Sequence, residues 1–81
     1  MTKEEAIQFL IDSYELHLWE TNESLDSSSA VAQRNIGNAL QVIKPYYHIN
    51  WACDGCIKIM LNEAVKTKNE HKLHFHKFPK Q

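Results

Sequence analysis

Apolar residues recur at helical spacing in three separate runs of this chain. The first run steps by three and four residues and contains Ile7, Leu10, Ile11, Tyr14 and Leu18. Such a stripe can bury one face of a helix. Ahead of it, Thr2 and Glu5 have the spacing of a capping box, in which a hydroxyl and a carboxylate satisfy the first helical amides. The pattern predicts a first helix over residues 3–20.

Two more runs follow the polar segment 21–29, which we expect to be a loop. One contains Ala32, Ile36, Ala39, Leu40 and Ile43 and stops before Pro45. The other contains Cys53, Cys56, Ile57, Met60, Leu61, Ala64 and Val65. A proline disfavours helical geometry in the residue before it, and an asparagine such as Asn50 can cap a following helix. These runs predict helices over 28–43 and 51–68.

The end of the chain has a different pattern. From His71 to Phe78 apolar and polar residues alternate, and Pro79 follows. We expect residues 69–81 to form an extended, basic C-terminal arm. The sequence as a whole therefore predicts an all-α fold, a three-helix bundle with an extended arm, in a single small domain over 1–81.

Composition agrees with a small folded protein. The chain has 81 residues, 43% of them hydrophobic, with two glycines and two prolines. A core of this size is marginal and is often assisted by a metal, a disulfide or a partner subunit. We see no signal peptide and no membrane span, so we expect a cytoplasmic protein without a membrane partner. In that compartment cysteines are more often reduced or metal-bound than paired as disulfides.

A net charge of −1 hides an asymmetry along the chain. Up to Asp26 there are seven acidic residues and one lysine, whereas from Ser27 onward there are eight basic residues and three acidic ones. A basic end can bind an acidic or nucleic-acid partner. The alternative is that the two ends face each other, within one chain or across a dimer.

The two cysteines, Cys53 and Cys56, lie two residues apart and three histidines follow them in the arm. Cys-x2-Cys followed by His-x4-His is within the loose spacing of zinc sites. A helix ending near Lys68 carries the chain about 18 Å from Cys56 at 1.5 Å per residue. An extended return of about 3.3 Å per residue then brings back His76 but not His71.

The candidate zinc ligands are therefore Cys53, Cys56, His76 and His48, which stands just before the cysteines. A second hypothesis is a thiol redox pair, because amides at a helix start lower a thiol pKa, although Asp54 opposes the thiolate. The third and favoured interpretation is structural. Both cysteines are in phase with the buried stripe, and free cysteine is often packed as a small apolar side chain.

Surplus apolar side chains predict a macromolecular partner. Phe9, Leu16 and Trp19 lie off the first stripe, and Tyr46 and Tyr47 stand in the second connection. We expect a small non-enzymatic protein that binds another protein or its own copy, because no phosphate-binding loop or nucleophile motif is present. The alternative is nucleic-acid binding through the arm. The candidate contact residues there are Lys72, Phe75, Lys77 and Phe78.

The segment Trp51–Cys56 leading into an Ile/Met/Leu-rich helix resembles small Cys-x-x-Cys helical accessory proteins of bacteriophages and mobile elements. The resemblance covers residues 45–65. It implies a binding protein, either a virion component or an inhibitor of a host system, located in the host cytoplasm or the virion. It implies no particular functional residue.

Overall fold

The computed structural model describes residues 1–22 and 30–76, and all of the regular secondary structure in these ranges is helical. The helices are α1 (Lys3–Asp12), α2 (Tyr14–Asn22), α3 (Ala30–Ile43) and α4 (Asp54–His76). The predicted all-α class is confirmed. The predicted number of helices is wrong, since the described part of the chain contains four rather than three.

The predicted first helix, 3–20, is interrupted at Ser13. Its start is as expected, with Thr2 and Glu5 forming the reciprocal capping box. Ser13 then leaves helical geometry, and its N–H donates to the Leu10 carbonyl at the end of α1. The Ser13 hydroxyl accepts from the Leu16 N–H at 3.1 Å. One serine therefore closes α1 and caps α2.

This interruption changes which side chains face the core. Tyr14, predicted to lie on the buried stripe, is 66% exposed, and Leu16, predicted to lie off it, is fully buried. A continuous helix would place both according to a single periodicity. Because Ser13 restarts the helix, α2 presents a different set of residues to its neighbours.

The second predicted helix ends at Ile43, as expected, and a turn follows in which the Tyr47 N–H donates to the Lys44 carbonyl. The third starts later than predicted, at Asp54 instead of 51, and continues to His76 instead of ending at 68. The expected extended arm is therefore wrong for 69–76, which are helical. Residues 77–81 and loop residues 23–29 lie outside the described ranges.

The continuation of α4 has a tertiary cause. Thr67 and Lys68 are buried, and Lys68 forms an ion pair with Glu20 of α2 at 2.6 Å. The Asn69 amide also donates to Glu20, at 3.2 Å. The segment around Lys68, where the sequence predicted the helix to end, is therefore packed against α2, and no proline follows before Pro79.

All four helices and the connection between α3 and α4, residues 44–53, contribute to one core. Its buried apolar residues are Ala6, Ile7, Leu10, Leu16, Ile36, Ala39, Leu40, Ile43, Ile49, Met60, Leu61 and Ala64. The α3 and α4 members belong to the stripes seen in the sequence. α4 contacts each of the other helices, so its first residues are held in a defined position beside α2 and α3.

Candidate functional site

The thiol pair, Cys53 and Cys56, lies at the N-terminal end of α4. Asn50 closes the turn that precedes it: its side-chain oxygen accepts from the Ala52 N–H at 3.1 Å, and its carbonyl accepts from the Cys53 N–H at 3.2 Å. The sequence predicted that Asn50 caps the helix, and this is wrong. Asn50 begins a turn that brings Cys53 to the capping position.

Cys53 is the capping residue of α4. Its Sγ accepts from the Cys56 N–H at 3.2 Å, and its carbonyl accepts from the Ile57 N–H at 3.0 Å. Serine, threonine, aspartate or asparagine oxygens usually fill this position. Here a sulfur atom faces the positive end of the helix dipole, which favours the thiolate.

The two thiols have opposite electrostatic environments. The pKa of Cys53 is lowered, first because the Cys56 side chain donates a hydrogen bond to it and second because of the Cys56 backbone N–H. Burial and the Asp54 carboxylate act in the other direction. The pKa of Cys56 is raised, chiefly by the same hydrogen bond to Cys53. The Cys56 N–H and the helix dipole, both directed at the Cys53 sulfur, therefore favour an anion at Cys53 over one at Cys56.

Both cysteines lie at the edge of the core. They are free and only half-buried, and neither belongs to the core cluster, whereas Met60, Leu61 and Ala64 on the same predicted stripe are buried. The favoured interpretation from sequence, in which both cysteines are packed on the buried stripe, therefore holds only in part. The stripe is buried only from the second turn of α4 onward.

Trp51 holds the segment before the pair on α3. A Cβ at Gly37 would lie 2.5 Å from the Trp51 ring and 3.1 Å from Ile49, so the ring occupies the space that any other residue at position 37 would need. The Arg34 guanidinium stacks on the same ring, 4.5 Å from its centroid. Periodicity did not reveal this role of Gly37. The signal that was present is a glycine inside an otherwise apolar helical stripe.

A cleft of about 210 Å³ lies between α2, α3 and the first two turns of α4, next in the chain to the thiol pair. It is lined by Trp19, Gln33, Asp54, Ile57, Lys58 and Leu61. The Trp19 indole N–H donates to the Asn62 side chain at 2.8 Å, which orients the ring. Asp54 and Ile57 directly follow the two cysteines in the chain. No local pattern in the sequence predicts this cleft, because its lining residues come from three different helices.

The candidate zinc ligands are not brought together. His48 is exposed on the connection, and His76 lies 20 residues after Cys56 on the same helix, about 30 Å away at 1.5 Å per residue. The extended return on which the choice of His76 depended is absent up to residue 76. Among the residues whose side chains the structure describes, no three His, Cys, Asp or Glu residues are grouped to hold a metal ion.

The predicted partner-binding side chains have different environments. Leu16 is fully buried, and Phe9 and Trp19 pack against the core. These three therefore belong to the fold and do not form a surplus surface. Tyr47 is half-buried against the core, whereas Tyr46 is 82% exposed.

Part of the charge asymmetry is paired inside the chain. Glu20, from the acidic end, accepts from Lys68 and Asn69, and its pKa is lowered mainly by the hydrogen bond from Lys68. The nearby charge of exposed Lys72 has a smaller effect in the same direction. The expectation that the two ends face each other is met at these residues. Lys77 and Phe78, and the side chains of Phe75 and His76, lie outside the described part.

The chain matches no family model, no curated protein and no solved structure with which it was compared. Across the described helices, none combines the length and the apolar character needed to cross a membrane.

Proposed function

We propose that this protein carries out thiol–disulfide exchange through the thiol pair, with Cys53 as the attacking thiolate and Cys56 as the resolving thiol. The observation that carries the proposal is the arrangement at the start of α4. There the Cys53 sulfur accepts a hydrogen bond from the Cys56 N–H at 3.2 Å, and the neighbouring Cys56 thiol further lowers the pKa of Cys53. Donors directed at sulfur favour its anionic form, which is the nucleophile in disulfide exchange.

The exchange proceeds in two balanced steps. The Cys53 thiolate attacks one sulfur of an external disulfide, RSSR: the Cys53–SR bond forms, the S–S bond breaks, and RS⁻ leaves. Cys56 then loses its proton and attacks the Cys53 sulfur, forming the Cys53–Cys56 disulfide and releasing the second RS⁻. The protein loses two electrons and two protons, and RSSR becomes two RSH. An external dithiol reverses the process and permits further cycles.

Exposure and ligand number support this function over the two other roles expected for the cysteines. A packing role needs both cysteines in the core, whereas both are only half-buried and lie outside the core cluster. A tetrahedral zinc site needs four ligands, and the pair supplies two. Exchange needs only two adjacent thiols and access for a disulfide, which the start of α4 provides.

Trapping with an oxidised small thiol tests the assignment of roles. Incubating the reduced protein with glutathione disulfide should give the intramolecular disulfide, detected by alkylation and intact mass spectrometry. Cys56→Ser should stop at a mixed disulfide on Cys53. Cys53→Ser is the matched control and should react at least about tenfold more slowly. Equal rates for the two variants, or no intramolecular disulfide in the wild type, would contradict the proposal.

A second candidate function is protein binding, as the sequence led us to expect. The specific observation is the exposure of Tyr46 (82%) and Ile59 (62%). Lys44, two residues before Tyr46, pairs with Glu63, which lies one turn after Ile59 on α4. The two exposed residues thus flank one ion pair, and together they define a mixed apolar and charged patch that suits a protein partner or a second copy.

Oligomeric mass tests this second function on the purified protein. Light scattering should show concentration-dependent association that is lost in the double variant Tyr46→Ser/Ile59→Ser. The matched control is Tyr14→Ser/Val31→Ser, which removes two residues that are similarly exposed, at 66% and 72%, on other helices. A monomer at all concentrations, or equal loss in both double variants, would exclude self-association through this patch.

A further inference from the structure

The cleft beside the thiol pair differs in size from a small-molecule site. Its volume of about 210 Å³ is below the roughly 300 Å³ at which pockets begin to enclose a whole ligand. It is large enough for a side chain whose backbone stays outside. Its apolar lining comes from Trp19, Ile57 and Leu61, and the hydrogen bond to Asn62 fixes the tryptophan ring.

The remaining lining residues are suited to a polypeptide. Gln33, Asp54 and Lys58 add an amide, a carboxylate and an ammonium group to the apolar surface. Backbone N–H and C=O groups of an extended segment need donors and acceptors of this kind while one of its side chains is buried.

The cleft lies on the Cys53 side of the thiol pair. Cys53 precedes Ile57 by four residues, so the two are neighbours along the surface of α4. Around the helix, Cys53 lies between the cleft-lining face and Cys56, so Cys56 is further from the cleft. A segment seated in the cleft therefore meets Cys53 first, and Cys56 stays free for the second step.

We propose that this cleft receives an apolar side chain next to a disulfide in a polypeptide, making polypeptide disulfides the preferred substrate class. This inference rests on the proposed exchange function and adds the substrate. The chemistry is the two-step exchange above, with the peptide cysteine and its thiol partner as the two RS groups. A small disulfide without an apolar neighbour reacts at the same sulfur but gains nothing from the cleft.

Two synthetic peptides provide the test. Each carries one cysteine in mixed disulfide with 5-thio-2-nitrobenzoate, whose release is followed by absorbance, and they differ only in having leucine or serine two residues from the cysteine. The wild-type protein should react with the leucine peptide about tenfold faster, the smaller end of what burying one leucine provides. Glutathione disulfide serves as the reference without a side chain for the cleft.

Ile57→Ala and Ile59→Ala form a matched pair of variants. Ile57 lines the cleft, whereas Ile59, two residues further on the same helix, is outside it and 62% exposed. Ile57→Ala should reduce the leucine-to-serine preference several-fold, and a circular dichroism spectrum that matches the wild type shows that the variant is folded. Ile59→Ala should keep the preference.

The outcomes separate the two proposals. Equal rates for the leucine and serine peptides in the wild type, or equal loss of preference in both variants, would overturn the substrate assignment and leave exchange intact. Absence of reaction with all three disulfides would overturn the exchange function itself, and the substrate assignment with it.

Discussion

The start and the middle of α4 carry polar groups with opposite roles. At the start of the helix, Cys53 and Cys56 are half-buried, and the Cys53 sulfur caps the helix by accepting from the Cys56 N–H. Fourteen residues after Cys53, Thr67 and Lys68 are buried, and Lys68 is paired with Glu20 of α2. The difference shows that charge and exposure need not coincide. The Lys68 charge is buried in an ion pair within the fold, whereas the two cysteines, predicted to lie on the buried stripe, are only half-buried.

The largest expected effect concerns the start of α4. Gly37→Ala places a Cβ 2.5 Å from the Trp51 ring, which is rigid and stacked by Arg34. Displacing the ring should lower the free energy of unfolding by about 1–3 kcal/mol, as overpacking does, despite the better helix propensity of alanine. Urea denaturation measures the change.

Gly55→Ala is the matched control, since its Cβ would meet nothing closer than the Cys53 sulfur at 4.0 Å. It should be neutral or stabilising by up to about 1 kcal/mol. If both glycine variants had the same stability, the seating of Trp51 on α3 would not be what holds the thiol pair in place.

The second effect concerns the ion pair between Glu20 and Lys68 in the middle of α4. Glu20→Ala leaves the Lys68 ammonium, whose side chain is 5% exposed, without its carboxylate partner. The free energy of unfolding should fall by about 1–2 kcal/mol, less than for a fully buried pair because Glu20 is 32% exposed. Lys72→Ala is the control, because this exposed lysine interacts with Glu20 only at a distance. Equal losses would indicate that the pair contributes nothing specific.

Acid should weaken the same contacts. Lys68 and Lys44 lower the pKa values of Glu20 and Glu63 from the ordinary value of 4.5. A carboxylate with a lowered folded-state pKa stabilises the fold above its unfolded pKa, and this stability is lost as the pH falls through the folded value. Below pH 4.5 the stability should decline, by about 1 kcal/mol in total for two partly exposed pairs.

Urea titrations between pH 6 and pH 3 measure this decline, and the double variant Glu20→Gln/Glu63→Gln should show a flatter profile. A variant whose acid dependence matched that of the wild type would show that other carboxylates are responsible.

The smallest effect has the opposite sign. The Thr67 hydroxyl is buried and has no hydrogen-bond partner within the described structure. Thr67→Val replaces it with a methyl group of similar size and should stabilise the protein by about 0.5–1 kcal/mol, visible as a higher denaturation midpoint. Destabilisation would mean that the Thr67 hydroxyl has a hydrogen-bond partner in the folded protein.

Local sequence patterns predicted part of this architecture correctly. The capping box of Thr2 and Glu5, the stripe of α3 and its end before Pro45 each depend on residues within about four positions of one another. The same holds for the all-helical class. The spacing of Cys53 and Cys56 is likewise visible in the chain itself, so the pair is a candidate site from the sequence alone.

Long-range contacts decided the rest. The continuation of α4 depends on Glu20, 49 residues before Asn69, and periodicity carries no information about such a pairing. Leu16 is buried in place of Tyr14 because Ser13 caps a new helix, although a serine can also lie inside a helix.

The sequence by itself determined that the chain is helical, where α1 begins, where α3 ends, and that the two cysteines are neighbours. These properties arise from residues that are close together in the chain. The tertiary structure alone decided that these cysteines are accessible and lie beside a cleft. That outcome required Trp51 to pack on Gly37 and α2 to pack on α4, contacts between residues that are distant in the chain.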